Sequence, residues 1–307
     1  MTMSAITDNA AWAAARPLLS VLIPFKGDDP VRLLASLDGP GSAVEILVLD
    51  DGGGDDALAA RVAAMVGGLA RPARFIRLPV NRGRSAARNR LALDARGRRM
   101  LFLDSDMAPD SPTFLENWLA FADRRDPAVA FGGFSLDRTP VSAIHALHRA
   151  MALKSDCAGA KRRRLTPEKS LFTSNLLVRR DVFLSERFDE AFAGWGWEDV
   201  EWAMRVGRRY RIEHIDNTAS HLGLDSAGVL AAKYEQSVAN FARVARAHHD
   251  IVRAYPSYRA ARALRRAPLR RYWRPMLKSA ALAEQAPVSW RALAMRAYRA
   301  ALYADVV

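Results

Sequence analysis

The chain has 307 residues, half of them hydrophobic, which is material for one large or two small domains with a proper core and excludes a disordered polypeptide. Its single cysteine, Cys157, excludes an internal disulfide and fits a reducing compartment. The formal charge of +13 is uneven: Asp250 to Val307 holds twelve Lys and Arg against three Asp and Glu, a net of +9, so the first 249 residues carry only +4.

No run approaches the length of a membrane-spanning helix, and the N-terminus lacks the basic-then-apolar layout of a secretory signal. The expected setting is therefore cytoplasmic, with peripheral placement on the inner face of a membrane left open by the basic tail. Residues 1–17 are Ala-rich and read as a loosely attached lead-in. Leu19 to Pro24 is a first buried strand, and the turn Lys26-Gly27-Asp28-Asp29-Pro30 opens a helix with Val31, Leu33, Leu34 and Leu37 on its apolar side. Val44 to Leu49 is a second strand, ending in Asp50-Asp51 and three glycines. A helix over 56–66, a strand near 75–78, a helix led in by Asn81-Arg82-Gly83-Arg84-Ser85, a strand at Met100 to Leu103, a helix over 112–124 and a strand over 129–134 follow. This alternation predicts an α/β fold with a mostly parallel, doubly wound sheet in residues 18–135.

Beyond Phe134 the alternation lapses. Arg138 to Pro167 is polar, carries Lys161-Arg162-Arg163-Arg164, and is expected to include a mobile loop; the basic run is either a solvated face or a lid over phosphates. Strands are expected at 172–178 and 210–215, a short turn at 181–184, and helices over 198–209 and 227–249. The resulting segments are the sheet-forming part at 18–135, a mixed part at 136–250 and a basic helical extension at 251–307.

Chemistry gathers in three places. Met100 to Leu103 runs into Asp104-Ser105-Asp106, and in an open α/β sheet the ligand crevice lies beyond the carboxyl ends of the strands. Two carboxylates delivered there can hold a hard divalent cation that carries substrate phosphates; a strand followed by an Asx turn is the plain alternative. The second place is Phe192-Ala193-Gly194-Trp195-Gly196-Trp197-Glu198-Asp199. Its glycines allow close backbone approach, its indoles offer flat surfaces on which a sugar ring can stack, and its acidic pair opens a helix. The third is His221, just past a strand and a candidate nitrogen ligand; His214 competes with it but sits inside a strand pattern and reads as packed.

The order of these motifs resembles the family 2 nucleotide-sugar glycosyltransferases of the GT-A fold: Ser20 to Pro24, Asp50-Asp51-Gly52, Asn81 to Asn89, then Asp104-Ser105-Asp106. Ser174 to Arg180, Phe188-Asp189-Glu190 and Gly194 to Glu201 are similar to the acceptor half of galactosyltransferases and chondroitin-type polymerases, and the resemblance covers residues 18–250. It implies that Pro24 and Phe25 line the nucleotide pocket, that Asp50 or Asp51 binds the base, and that Arg84, Asp104 and Ser105 lie against the nucleotide sugar. Asp106 and His221 would ligate Mn²⁺ or Mg²⁺. Asp199 would be the general base and Glu198 would orient the acceptor beside Trp195, Gly196 and Trp197. The implied activity is inverting transfer of a hexose from a nucleotide sugar, a UDP-sugar by resemblance, to a glycan or lipid-linked acceptor in polysaccharide biosynthesis. One departure stands out: Trp197 occupies a position where the family usually has glycine, and a large ring there is expected to narrow or reshape the acceptor pocket, so the acceptor's identity does not carry over from the relatives.

In the tail, Arg259, Arg262, Arg265, Arg266, Arg270 and Arg271 interleave with Tyr255, Tyr258, Tyr272, Trp273, Trp290, Tyr298 and Tyr303, while Pro256, Pro268, Pro275 and Pro287 are expected to break it into short helices. Either anionic headgroups meet these arginines or the helices pack as a solvated appendage; no nucleic-acid module accompanies them. Two rival functions remain. A nucleotidyltransferase would need a Gly-rich phosphate loop after the first strand, for which Phe25-Lys26-Gly27-Asp28-Asp29 is too poor in glycine. A non-catalytic protein that binds membrane or nucleic acid through its tail would tolerate loss of Asp106.

Overall fold

The apolar runs of the sequence become strands paired side by side. The computed structural model describes residues 4–268 and 270–307, with the side chains of Arg270 and Arg271 outside the description. The strands are β1 (Ala5–Asp8), β2 (Leu19–Phe25), β3 (Val44–Asp50), β4 (Ala73–Arg77), β5 (Arg99–Leu103), β6 (Met107–Pro109), β7 (Val129–Phe131), β8 (Phe134–Ser135), β9 (Asn175–Arg179), β10 (Ile212–His214) and β11 (Ala219–His221). Eight form one sheet in the order β1-β4-β3-β2-β5-β9-β7-β10; β6, β11 and β8 form a second. Strands β4, β3, β2 and β5 are mutually parallel, β9 runs antiparallel to β5 and β7, and β10 is parallel to β7.

The chain divides into two units, the first comprising Met1–Thr139, Cys157–Ala191 and Trp202–Gly223, the second Pro140–Asp156, Phe192–Glu201 and Leu224–Val307. In unit 1 the sheet is buried on both faces. Alternation along β2 and β3 sends Val21, Ile23, Ile46 and Val48 into one layer with Leu58, Val62 and Val66 of the helix Asp56–Gly68. It sends Leu22, Leu47 and Leu49 into the opposite layer with Leu91, Phe102, Phe183 and Trp202. A strand buried on both sides needs apolar residues at every position, which is why these runs are continuous.

Several elements differ from expectation. The stretch expected as a loose lead-in carries β1, paired antiparallel to the sheet edge at β4. Asn9 donates to the carbonyls of Leu69 and Arg71, and Trp12 is buried between the guanidiniums of Arg74 and Arg96. One amide and one indole suffice to fasten it, a signal that an Ala-rich composition masks. The strand expected over 129–134 splits because Gly133 takes φ +105° and a side chain on Gly132 would collide with Asn175, so the chain leaves the large sheet and re-enters the small one as β8. The expected mobile loop instead contains the helices Ala146–Lys154 and Ala160–Arg163. Within it Arg163 is buried, donating to His214 Nδ1 and to the carbonyl of Ile215, with its guanidinium over the Phe131 ring; burial lowers its pKa. That arginine is part of the core and no lid, while Lys161, Arg162 and Arg164 are exposed. The expected turn at 181–184 is a helix, Arg180–Ser185.

Unit 2 is helical, with Ala146–Lys154, Ala227–Ala247, Pro256–Arg265, Arg270–Leu282 and Val288–Tyr303 as its main segments. The helix Arg270–Leu282 runs through Pro275 without the break expected there; losing one N–H removes a single rung, and packing against Val288–Tyr303 supports the rest. Four tail aromatics, Tyr255, Tyr258, Tyr298 and Tyr303, are buried, whereas Tyr272, Trp273 and Trp290 are exposed.

Candidate functional site

In unit 1 the parallel strands deliver their polar ends together. Pro24 pairs with Leu49 and Phe25 with Asp50; Phe25 stacks on Phe75 in the core. Asp50 accepts from the Gly53 N–H and faces the Arg77 guanidinium at 3.2 Å. Asp51 receives the N–H groups of Arg82 at 2.7 Å and Gly83 at 2.9 Å, pinning the loop that carries Arg84 to the end of β3. Burial, with the neighbouring Asp50 adding to it, raises the Asp51 carboxyl above its ordinary value against the pull of those two hydrogen bonds. Gly52 (φ +67°) must be glycine, because a side chain would enter the Val80–Asn81 backbone.

The next strand end is the most charged. Arg88, buried within the helix Arg84–Asp94, donates to Asp104 at 2.8 Å, and Arg84 lies 3.8 Å from the same carboxylate. Burial works to raise the Asp104 carboxyl, yet Arg88 and Arg84 together hold it below the usual carboxylate range. Ser105 is buried. One residue on, Asp106 Oδ2 lies 2.9 Å from His221 Nε2. The small sheet creates this meeting: β6 starts directly after Asp106, β11 pairs with it so that His221 opposes Met107, and the Leu222 N–H donates to the Asp106 carbonyl. The His221 ring leans on Phe134. At Gly223 any Cβ would collide with the Asp106 carboxylate.

Asp106 Oδ2 and His221 Nε2 touch directly, one oxygen and one nitrogen close enough for a single divalent cation to take both as ligands. No group of three or more His, Cys, Asp or Glu among the described residues is placed to hold a metal. Such a cation would take its remaining ligands from substrate phosphate oxygens and water, as Mg²⁺-type sites do.

In unit 2 the aromatic loop is gripped by the helix Ala227–Ala247. Asn240 donates to the carbonyls of Ala193 (3.0 Å) and Gly196 (2.9 Å), and the Trp195 ring packs at 5.9 Å from that of Tyr234. Gly194, Gly196 and Trp197 all have positive φ, Trp197 at +77°. Trp197, the ring expected to narrow or reshape an acceptor pocket, is held by contacts within unit 2. Its indole N–H donates to the Tyr303 hydroxyl at 2.9 Å and its ring packs on Phe241 and Tyr303, which anchors the loop to the last helix of the tail. Glu198 and Asp199 then begin the helix Glu198–Gly207 as expected, Glu198 buried, Asp199 Oδ1 accepting from the Val200 N–H, and Glu201 paired with His248 at 3.2 Å.

The fold thus gathers Asp50, Asp51, Arg84, Asp104, Ser105, Asp106 and His221 at the end of the sheet in unit 1, and Trp195, Gly196, Trp197, Glu198 and Asp199 on one loop and helix start in unit 2. Sequence reasoning missed Arg88, Gly223, Asn240 and Tyr303. Arg88 lies one turn after Arg84, the only spacing signal among them. His214, the competitor of His221, is fully buried, donating from one ring nitrogen to Pro167 and accepting Arg163 on the other.

The sequence model of "Glycosyl transferase family 2" matches residues 20–185, more than half of the chain. Among solved structures, mannosyltransferase PcManGT from Pyrobaculum calidifontis in complex with GDP-Man and Mn²⁺ aligns at 17% identity over 96% of this chain and 88% of that one, with a TM-score of 0.58. S. aureus TarS 1–349 aligns at 17% identity, 92% and 91% coverage and a TM-score of 0.47; its complex with UDP gives 18%, 94%, 89% and 0.49. No curated protein matches the sequence. The PcManGT likeness is one of fold, a mostly parallel sheet flanked by helices with a helical C-terminal part, and it is GT-A-like. The family match runs from the first core strand to the helix behind β9, and with it the chain belongs to glycosyl transferase family 2 and is a glycosyltransferase.

Proposed function

We propose that this protein is a metal-dependent, inverting hexosyltransferase that moves a sugar from a nucleotide sugar, a UDP-sugar by motif resemblance, to a hydroxyl of a glycan or lipid-linked acceptor in cytoplasmic polysaccharide synthesis. The observation that carries the reading is the convergence of Asp106 and His221, 2.9 Å apart at the end of the sheet, beside an Asp104 held ionised by Arg88. That PcManGT holds GDP-Man and Mn²⁺ supports a nucleotide-sugar donor and a divalent ion.

Each group then has a task. Asp50 or Asp51 meets the base; Asp51 also fixes the loop that brings Arg84 toward the donor. Asp104 faces the ribose, its carboxylate oriented by Arg88. A divalent ion on Asp106 and His221 would offset the charge developing on the departing diphosphate. Asp199 takes the proton from the acceptor hydroxyl, and Glu198 orients that hydroxyl. Trp195 offers a flat face to the acceptor sugar. Attack opposite the leaving group in a single displacement inverts the anomeric carbon.

The test is release of free nucleotide by purified protein from a panel of UDP- and GDP-sugars with Mn²⁺ or Mg²⁺. One or a few donors are expected to turn over, and Asp106→Ala to abolish the release. Metal-independent turnover, or full activity in Asp106→Ala, would overturn the assignment.

A further inference from the structure

We propose that the helices following Asp250 form a docking surface for an anionic lipid bilayer. From Ile251 to Ala283 the sequence has nine Lys and Arg and no Asp or Glu. The structure sorts these charges. Arg265 donates to the Val307 carbonyl, Arg274 pairs with Asp305, and Lys278 pairs with Glu235, so these three serve packing within unit 2. Arg259, Arg262 and Arg266 are exposed, and their spacing of three and four residues sets them along one side of the helix Pro256–Arg265 and its end, flanking the stripe of the buried Tyr258 and Ala261.

The apolar residues are sorted the same way. In Val288–Tyr303 the side bearing Ala292, Met295, Tyr298 and Leu302 is buried, while Trp290 is 72% and Leu293 64% exposed, one turn apart. On the adjoining helix Arg270–Leu282, Tyr272 and Met276, also one turn apart, are 52% and 69% exposed. Unit 2 has a full set of aromatics in its interior, so these side chains are left outside a core that is already packed. Exposed arginines on the helix Pro256–Arg265 and large apolar groups held outward on Arg270–Leu282 and Val288–Tyr303, three helices packed together, match the interface of a membrane: aromatics settle at headgroup depth, aliphatic chains reach the acyl boundary, and guanidiniums meet anionic headgroups. Met276 and Leu293 argue against nucleic acid, whose bases stack on flat rings. No helix among the described residues is long and apolar enough to cross a membrane, so the contact is a surface one.

The proposal stands apart from the transfer chemistry: vesicle binding and donor turnover are separate readouts, and either can fail alone. The experiment is co-sedimentation of the full chain with phosphatidylcholine vesicles, with and without phosphatidylglycerol, at low and high salt. Binding is expected only to the anionic vesicles and to weaken with salt. Arg262→Ala and Arg266→Ala should each lower affinity about fivefold, on the basis of ~1 kcal/mol per basic residue at such a surface. Trp290→Ser with Met276→Ser should lower it further while donor turnover in solution is unchanged. Equal binding to neutral vesicles, no binding to either, or binding only to an added oligonucleotide would overturn the proposal. Because all the substituted side chains are exposed, an unchanged circular dichroism spectrum is expected; undiminished binding in the three variants would also overturn it.

Discussion

Gly223 shows how one residue without a side chain can govern a charged site. Its Cα faces Asp106 so closely that a methyl group has no room, and Asp106 must stay where His221 meets it. Gly223→Ala is therefore expected to push the carboxylate aside and to lower turnover about a hundredfold, the usual consequence of an ångström-scale misplacement. The measurement is kcat together with Mn²⁺ affinity; a variant with wild-type metal affinity would contradict the placement. His214 makes a contrasting case. Burial first, and Arg163 second, push its imidazole down to about 4 from an ordinary 6.5. Between those values the unfolded chain takes up a proton that the folded chain refuses. Stability is then complete above about pH 6.5 and lost as pH falls toward 4, by up to ~3 kcal/mol. Urea unfolding across that range should show a steeper loss for the wild type than for His214→Gln, and equal slopes would show that His214 is not the group responsible.

At the scale of elements, the loop Gly194–Trp197 depends on a helix a hundred residues further along the chain. A bulky residue at φ +77° carries a backbone strain of about 1–3 kcal/mol. The Trp197 indole offsets it by packing at a tilt on Phe241, which itself stacks on Tyr303, and by donating to the Tyr303 hydroxyl, which also meets Ser237 at 2.8 Å. Tyr303→Phe keeps the ring stack and removes the hydroxyl, so a destabilisation of about 1 kcal/mol is expected, with a raised acceptor KM and unchanged donor affinity. A change in donor affinity alone would show that the loop serves another purpose. The same elements mark what the sequence could disclose. Strands β2, β3 and β5 were legible because burial on both faces forces an unbroken apolar run, and the Asp104-Ser105-Asp106 end was legible because two carboxylates follow one. Strands β6, β8 and β11 have two or three residues each, too few for any period, so the pairing that aligns His221 with Asp106 could not be read. Nor could Arg88 or Tyr303 be assigned, since their partners lie far off in sequence and only the fold introduces them.

For the whole molecule, the division into a sheet-containing unit and a helical unit carries a division of labour that binding can test. The groups proposed for donor and metal lie in unit 1, and the proposed base, Asp199, lies in unit 2. A ligand that binds only the folded state stabilises it by about 2.7 kcal/mol at a hundredfold excess over Kd. At roughly 2–4 °C per kcal/mol for domains of 150–250 residues, the matching nucleotide with Mn²⁺ should raise the melting temperature by several degrees. Asp106→Ala should abolish that rise, and chelating the metal should do the same to the wild type. Asp199→Asn should keep the full rise while losing transfer, because a proton acceptor for the acceptor hydroxyl takes no part in holding the diphosphate. A melting temperature that responds to nucleotide in Asp106→Ala, or fails to respond in Asp199→Asn, would reassign the two carboxylates.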